Sequence, residues 1–214
     1  MGHVPDLARW WPDRPGISPT LRAELEAAYA APDRRYHDLR HLHEVLLRID
    51  ELEAAGAAGD RTAVLLAAWF HDAVYDGRPG AEERSAQWAE RALEGVDVAA
   101  EVARLVRLTE RHDPAPDDAN GCLLCDADLG ILAAGPTRYA EYAAAVRDEY
   151  AHVPWPDFAA GRGRILRDLL ERPALFRTAP ARDRWEGPAR RNLADELRRL
   201  GQPARDGDSA APPS

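Results

Sequence analysis

The chain has 214 residues, with 37 acidic and 28 basic side chains and a formal net charge of −9. This length suits one domain with a sizeable core, and a composition rich in Ala and Leu favours helices over strands. The diffuse negative charge argues against binding of extended DNA or RNA. An anionic small substrate would therefore need a local positive centre, such as a metal ion or a few Arg side chains.

The predicted elements begin after an irregular arm, residues 1–17, which contains Trp10, Trp11 and three prolines. From residue 18 to residue 200, apolar spacing and capping signals predict one helix after another, with no strand-like alternation and no repeat. The tail 201–214 is rich in Pro, Ala and Ser and is predicted to be disordered. The fold is thus predicted to be a single all-α domain, with helices over about residues 18–32, 38–55, 60–70, 82–93, 97–111, 120–134, 137–152, 157–171 and 188–200.

The second predicted helix carries the histidines His37, His41 and His43 within two turns, beside an apolar stripe that includes Leu42 and Val45. At about 100° per residue, His41 lies at the edge of this stripe. His43 lies on the far side and is predicted to be a solvated histidine. We therefore expect His41 to face inward, and His37 to reach the same cavity from its rim.

The third predicted helix ends in the pair His71-Asp72. The run from Val64 to Phe70 before it has almost no polar face, which indicates a helix buried on most sides. A carboxylate at the end of such a helix is costly to desolvate unless it is paired or bound to a metal. Alternatively, the helix end emerges into solvent and the polar pair is simply exposed.

The sixth predicted helix contains two acids, Asp126 and Asp128. Helical spacing directs Asp128 into the core and Asp126 well away from that face, which is formed by Leu124, Ala127, Asp128 and Ile131. Alternatively, the core face is Leu123, Ala127 and Gly130, and both acids are exposed. Cys122 and Cys125 fit small core residues better than a metal or redox site.

Two histidines and two aspartates from three helices would form a mixed nitrogen and oxygen site. Such a site suits Mn²⁺, Fe²⁺, Co²⁺, Ni²⁺ or Mg²⁺ better than a thiolate-rich zinc site does. Open coordination positions would hold water and a phosphoryl oxygen, so that the metal lowers the pKa of the water and polarises phosphorus. The predicted ligands are His41, His71, Asp72 and Asp128.

Four ordered sequence blocks surround these candidate ligands: Tyr36-His37-x-x-x-His41-Leu42, Trp69-Phe70-His71-Asp72-x-Val74-Tyr75-Asp76, Glu82-Glu83-x-Ser85-Ala86 and Asp126-Ala127-Asp128-Leu129. They resemble the H…HD…D signature of the HD-domain superfamily and, within it, a bacterial family of predicted metal-dependent HD phosphohydrolases. The resemblance covers roughly residues 28–200, with later similarity in the stretches 139–150 and 161–166.

The resemblance implies an HD-type helical bundle with metal ligation by the four residues named above. In related HD enzymes an acid just after the HD helix positions or activates water. Glu83, or else Glu82, matches that place, and Asp72 is a further candidate for assisting the water. The Asn that usually precedes the Glu pair in this family is Ala81 here, so any role of that amide is absent.

Further side chains are candidates for binding substrate. His112 follows Leu105 and Thr109 at helical spacing, so it faces inward and could bind phosphate or a second metal. A core histidine bonded to a backbone carbonyl is the alternative, and for the arginines the alternative is an ordinary surface ion pair. The candidates are His37, His112, Tyr36, Tyr75, Arg147 and Arg162.

The expected reaction is hydrolysis of a phosphate ester or anhydride of a small phosphorylated metabolite, with a nucleotide as the favoured substrate. Two alternatives stay open: an HD-type di-iron oxygenase, with His37 and His112 as extra ligands, and a non-enzymatic sensor that keeps a metal for structure. The sequence contains no signal-peptide core and no membrane-spanning apolar run, and its two cysteines are too few for a disulfide scaffold. These features predict a cytoplasmic protein with no membrane partner, and they leave a homodimer open.

Overall fold

The computed structural model of the chain describes residues 6–12 and 14–201. These residues form nine α-helices and two short 3₁₀ turns without any strand, which confirms the all-α prediction. Across the same residues, no helix has both the length and the apolar character needed to cross a membrane. The helices are α1 (Pro19–Tyr29), α2 (Leu39–Ala54), α3 (Arg61–Phe70), α4 (Ala81–Ala92), α5 (Ala99–Leu108), α6 (Ala119–Leu129), α7 (Pro136–Glu149), α8 (Trp155–Glu171) and α9 (Ala179–Leu200), and the 3₁₀ turns are Ala8–Trp10 and Gly130–Ala133.

The first three helices begin at side-chain caps. Ser18, Asp38 and Asp60 each accept a hydrogen bond from a backbone N–H in the first turn of α1, α2 and α3, respectively. The Asp38 carboxylate accepts the N–H of His41 at 3.1 Å. This cap therefore fixes the start of α2 one turn before a candidate metal ligand.

Helix α3 is the central element of the fold. Every residue from Ala63 to Phe70 is buried, and the helix contacts α2, α4, α5 and α6. A helix that is apolar all round needs such neighbours on all sides. The residues that follow it consequently enter an enclosed region: His71 is 1% exposed and the Asp72 side chain 14% exposed. The alternative that this pair emerges into solvent is wrong.

The described part of the predicted arm packs on α2. Trp10 is buried, and its indole N–H donates to Asp50 Oδ2 at 2.8 Å. The Trp10 ring also stands edge-on against His43, with 5.3 Å between ring centroids. His43, predicted to be solvated, is therefore half-buried. The predicted tail lies, from residue 202 onwards, outside the described residues.

The last helix is longer than predicted. Helix α9 begins at Ala179, where Thr178 caps the first turn and Pro180 lies within it. The sequence prediction took Pro188 as the first residue, because proline is common at helix starts. Pro188 instead lies inside the helix, where its missing N–H removes one helical hydrogen bond.

Candidate metal centre and cleft

His71 directs one ring nitrogen into the interior of the bundle. Its Nδ1 lies 2.7 Å from the carbonyl oxygen of Ala68, one turn back in α3. A carbonyl can only accept, so Nδ1 carries the proton and donates this hydrogen bond. Burial lowers the pKa of His71, but Asp72 and the other nearby groups outweigh it and hold this pKa well above its usual range. A cation bound at Nε2 would therefore displace the proton from that nitrogen.

Four candidate ligands meet around this nitrogen. His71 Nε2 lies 3.0 Å from His41 Nε2. Asp72 Oδ2 is 3.2 Å from the His41 nitrogen and 3.1 Å from the His71 nitrogen. The corresponding distances from Asp128 Oδ1 are 3.3 and 3.7 Å. The four metal ligands predicted from the sequence therefore lie close together, although they come from α2, from the end of α3 and from α6.

Three of these four residues form a group that could hold a divalent cation. The ligand atoms of His41, His71 and Asp128 lie within 4.8 Å of one another, and the two histidines are buried. Two ring nitrogens that face each other at this distance cannot form a good hydrogen bond unless one of them is protonated, whereas both can donate lone pairs to one cation. The His41 Nδ1 is buried and has no hydrogen-bond partner among the described residues, so the ring is oriented by packing.

Both aspartates are charged at neutral pH. Burial raises the pKa of Asp72, but the nearby His71 and His37 outweigh this effect and hold the pKa well below its usual range. For Asp128, burial is likewise outweighed, in this case by His71 and His112, and the pKa is again far below the usual range. The cluster therefore presents ionised carboxylates, the form that binds a cation.

Asp128 uses its second oxygen for a different histidine. Its Oδ2 lies 2.6 Å from His112 Nε2. His112 has a φ of 50°, a backbone conformation that few residues other than glycine adopt. The Arg172 guanidinium donates to the carbonyl of His112 at 2.8 Å and so holds this strained residue in place.

Asp126 is buried as well, contrary to the prediction that it points away from the protein core. It is 1% exposed, and its carboxylate accepts the backbone N–H of Arg177 at 2.8 Å and that of Thr178 at 2.7 Å. Helix α6 is covered on this second face by the segment before α9, which is remote in sequence. The alternative that both acids of α6 are exposed is also wrong.

Glu82 and Glu83, in the first turn of α4, lie in two different environments. Glu82 lines the cleft beside Asp72 and Tyr75. Glu83, the first choice from the sequence for activating water, is about half exposed and pairs with Arg107 at 2.6 Å on the surface. Hydrogen bonds from Arg107 and Gln87 lower the pKa of Glu83 to about 2, which makes it a weak proton acceptor. The geometry favours Glu82 for a role near the metal group.

The metal group opens into a cleft with two adjoining cavities. One of about 660 Å³, here called the aromatic lobe, is lined by Tyr75, Tyr150 and Phe158. The other, of about 580 Å³ and here called the second lobe, is lined by residues that include Leu132 and Asp168. Several side chains line both lobes and mark their junction: Tyr36, His37, Glu110, His112, Asp128, Tyr142, Arg162 and Ile165.

His37 is oriented by a carboxylate that the sequence reasoning did not single out. Its Nδ1 lies 2.8 Å from Glu149 Oε2, and Glu149 is 5% exposed. Glu149 Oε1 also accepts the backbone N–H groups of Tyr36 at 2.8 Å and of His37 at 3.0 Å. The opposite side of the imidazole stacks on Tyr75, with 4.0 Å between ring centroids. The predicted pocket residues Tyr36, His37 and Tyr75 are thus held as one unit.

Arg162 is held by a second unpredicted carboxylate. Its Nε donates to Glu196 Oε1 at 2.7 Å, and its Nη2 donates to the hydroxyl of Tyr142 at 2.9 Å. Its Nη1 has no hydrogen-bond partner within residues 6–12 and 14–201, and the residue lines both lobes. Arg147, predicted as a pocket residue, lines neither lobe. It lies behind the cleft wall, where its guanidinium stacks on Phe158 at 4.9 Å.

The turn that contains His71 and Asp72 is held by Arg34 and Tyr29, two residues that the sequence did not indicate as part of the site. Arg34 Nη1 donates to the carbonyls of Asp72 and His37, each at 2.7 Å, and Nη2 donates to that of Ala73 at 2.8 Å. The Tyr29 hydroxyl accepts the Asp72 N–H at 3.2 Å. Arg34 precedes α2 and is outside any helical pattern, so periodicity could not reveal it. The sequence feature that could have indicated Arg34 is its position close to the predicted pocket residues Tyr36 and His37.

Comparison with known proteins leaves the family of this chain open. No protein-family model, curated protein or solved structure matches it. The resemblance to HD-domain proteins therefore stays a prediction that rests on the sequence motifs.

Proposed function

We propose that this protein is a metal-dependent phosphohydrolase of the HD type that acts on a small phosphorylated metabolite. The observation that supports this most is the convergence of two imidazole nitrogens and two carboxylates beside the junction of the two lobes of the cleft. Hydrogen-bond donors from Arg162 and His112 line the same cleft. A phosphate needs both a cation and such donors around it.

In this proposal each residue has a defined task. The metal would be held by His41, His71, Asp72 and Asp128. When bound there, a divalent cation would polarise a phosphoryl oxygen and lower the pKa of water. Arg162 would bind a phosphate oxygen through its Nη1, while His37 and His112, which line both lobes, would stabilise phosphoryl charge. Glu82 is placed to orient the attacking water or to accept its proton.

Metal retention and turnover test the proposal together. Purified protein is loaded with Mn²⁺, Co²⁺, Ni²⁺ or Mg²⁺, dialysed, analysed for bound metal and assayed on a broad panel of phosphate esters and anhydrides. Asp128→Asn should lose the metal and reduce turnover by more than about a hundredfold, beyond the usual effect of removing a ligand's hydrogen-bond partner. Asp148→Asn, at an exposed position of α7, is the matched control. Wild-type protein that retains no metal and cleaves nothing refutes the proposal.

One observation favours a second candidate, the HD-type di-iron oxygenase. Asp128 directs one oxygen to His41 and His71 and the other to His112, as a carboxylate between two metal ions would. Aerobically purified protein with two tightly bound irons per chain and with oxygen consumption would support this candidate. One metal per chain, with phosphate release and no oxygen uptake, would exclude it.

A further inference from the structure

The cleft has two lobes, and the candidate metal ligand Asp128 lies where they meet. Both cavities include the Asp128 carboxylate in their walls, together with His112 and Arg162. Asp72 and Glu82 line only the aromatic lobe. A phosphorus atom next to the metal group would therefore have open space on two sides.

Each lobe is large enough for an organic substituent. With about 660 and 580 Å³, both fall within the range of pockets that enclose small ligands. The aromatic lobe is lined by three aromatic side chains, Tyr75, Tyr150 and Phe158, a composition that suits a planar ring. The second lobe combines charged side chains with an aliphatic group from the end of α6, the turn after it and α8: Leu129, Ile131, Leu132 and Leu169.

The charge of the cleft fits a monoanion better than a dianion. Arg162 is bound through two of its nitrogens to the Glu196 carboxylate, which compensates its charge. Apart from the candidate ligands, carboxylates (Glu82, Glu110, Asp113, Asp157 and Asp168) outnumber guanidinium groups (Arg111, Arg162, Arg164 and Arg172) among the lining residues. At neutral pH a phosphodiester carries one negative charge, whereas a phosphomonoester carries nearly two.

We infer that the substrate is a phosphodiester, whose two substituents occupy the two lobes and whose phosphorus lies at the junction beside Asp128. This inference rests on the proposed phosphohydrolase function and narrows its substrate class. Hydrolysis adds the oxygen of one water to phosphorus and breaks one ester bond to phosphorus. A proton from the water passes to the leaving oxygen, and the products are a phosphomonoester and an alcohol.

The test compares bis(p-nitrophenyl) phosphate with p-nitrophenyl phosphate on the Mn²⁺-loaded protein, because both release the same leaving group. The diester should show a kcat/KM at least about tenfold higher than that of the monoester. A monoester that is cleaved equally well or better overturns the inference but leaves the phosphohydrolase proposal intact. Protein that cleaves other members of the phosphate panel but not the diester also overturns only the inference, whereas protein that cleaves no member of the panel refutes both statements.

A variant that blocks one lobe supplies the second arm. Asp168 is exposed and lines only the second lobe, so Asp168→Tyr should fill that space without disturbing the fold. We expect kcat/KM for the diester to fall about tenfold, and that for the monoester to change by less than about twofold. Asp148→Tyr, on the exposed side of α7 and outside both lobes, is the matched control and should change neither value. Equal losses for both esters in Asp168→Tyr would contradict a two-lobed substrate.

Discussion

At the scale of single residues, Asp72 is held at its backbone by side chains from other segments. The Tyr29 hydroxyl accepts its N–H, and Arg34 donates to its carbonyl and to those of Ala73 and His37. The position of one candidate metal ligand therefore depends on a guanidinium whose hydrogen bonds within the described residues go to backbone carbonyls. Such supporting contacts commonly determine how tightly a site binds its metal.

Replacing this guanidinium should weaken metal binding. Arg34→Gln replaces the guanidinium that bonds three carbonyls with a shorter amide that has only two N–H donors, so we expect the dissociation constant for Mn²⁺ to rise about ten- to hundredfold. Titration of chelator-treated protein, with its fold checked by circular dichroism, measures this change. Arg35→Gln is the control, because Arg35 is exposed and its guanidinium bonds only nearby carbonyls. Unchanged affinity in folded Arg34→Gln would show that Asp72 needs no such support.

The pairing of Glu149 with His37 should appear in the pH dependence of stability. Burial raises the pKa of Glu149, but the hydrogen bond and charge of His37 outweigh it and lower the pKa from 4.5 to about 2. A lowered carboxylate pKa adds stability that is fully present above about pH 5 and is lost as the pH falls towards 2. Glu149→Gln should remove this contribution to the free energy of unfolding, about 2–3 kcal/mol at pH 7. Urea unfolding between pH 3 and pH 7 measures it, and a variant curve parallel to that of the wild type would contradict the assignment.

Helical spacing located the face of a helix that points to the candidate site, but not the contacts that cover its other faces. It placed His41 and Asp128 on that face and His43 and Asp126 away from it, because the orientation of a side chain on a helix follows from its position. It did not reveal that Asp126 is buried as well. Arg34 and Glu149 act through contacts made 38 and 112 residues away, respectively. No local pattern encodes such a pairing.

At the scale of elements, α6 uses both of its faces. Asp128, on one face, belongs to the candidate metal centre. Asp126, on the other face, accepts two N–H groups from the segment before α9. The sequence suggested a helix with one buried face, since periodicity identifies only the stronger apolar stripe. A remote segment that covers the other face can be recognised only in the folded chain. The interior position of Pro188 in α9 was not predictable either, because it too depends on contacts that exist only in the folded chain.

Asp126→Asn should loosen the start of α9. In the wild type Oδ2 accepts the N–H groups of both Arg177 and Thr178, and Oδ1 accepts that of Arg177 at 2.8 Å. In Asn an NH₂ group replaces one of these acceptors and faces the N–H donor that it bonded. We expect a loss of about 1–3 kcal/mol in the free energy of unfolding, the usual cost of an unsatisfied buried group. Chemical denaturation measures the loss. Asp148→Asn should stay within about 0.5 kcal/mol of the wild type because its position is exposed. Equal stabilities of the two variants would exclude an anchoring role for Asp126.

At the scale of the whole molecule, metal binding should stabilise the fold. The candidate ligands come from α2, from the end of α3 and from α6, so a bound cation would connect three separate elements. At a free metal concentration one hundred times the dissociation constant, linkage gives about 2.7 kcal/mol. For a chain of this size, that corresponds to a rise in Tm of about 5–10 °C.

Differential scanning calorimetry of chelator-treated and Mn²⁺-loaded protein tests this expectation. Asp128→Asn should abolish the Mn²⁺-dependent rise in Tm, and Asp148→Asn should retain it. A rise of equal size in both variants would mean that Mn²⁺ binds somewhere other than the proposed centre.

The two faces of α6 have a consequence for exchange of backbone hydrogens with solvent. The N–H groups of Arg177 and Thr178 are hydrogen-bonded to Asp126, two residues from the ligand Asp128 on the same helix. If loss of the metal loosens α6, these two amides should exchange with deuterium faster, although they belong to a segment that lies outside the metal centre. The residues before α9 would then serve as an internal reporter of whether the metal is bound, readable by mass spectrometry without any substrate.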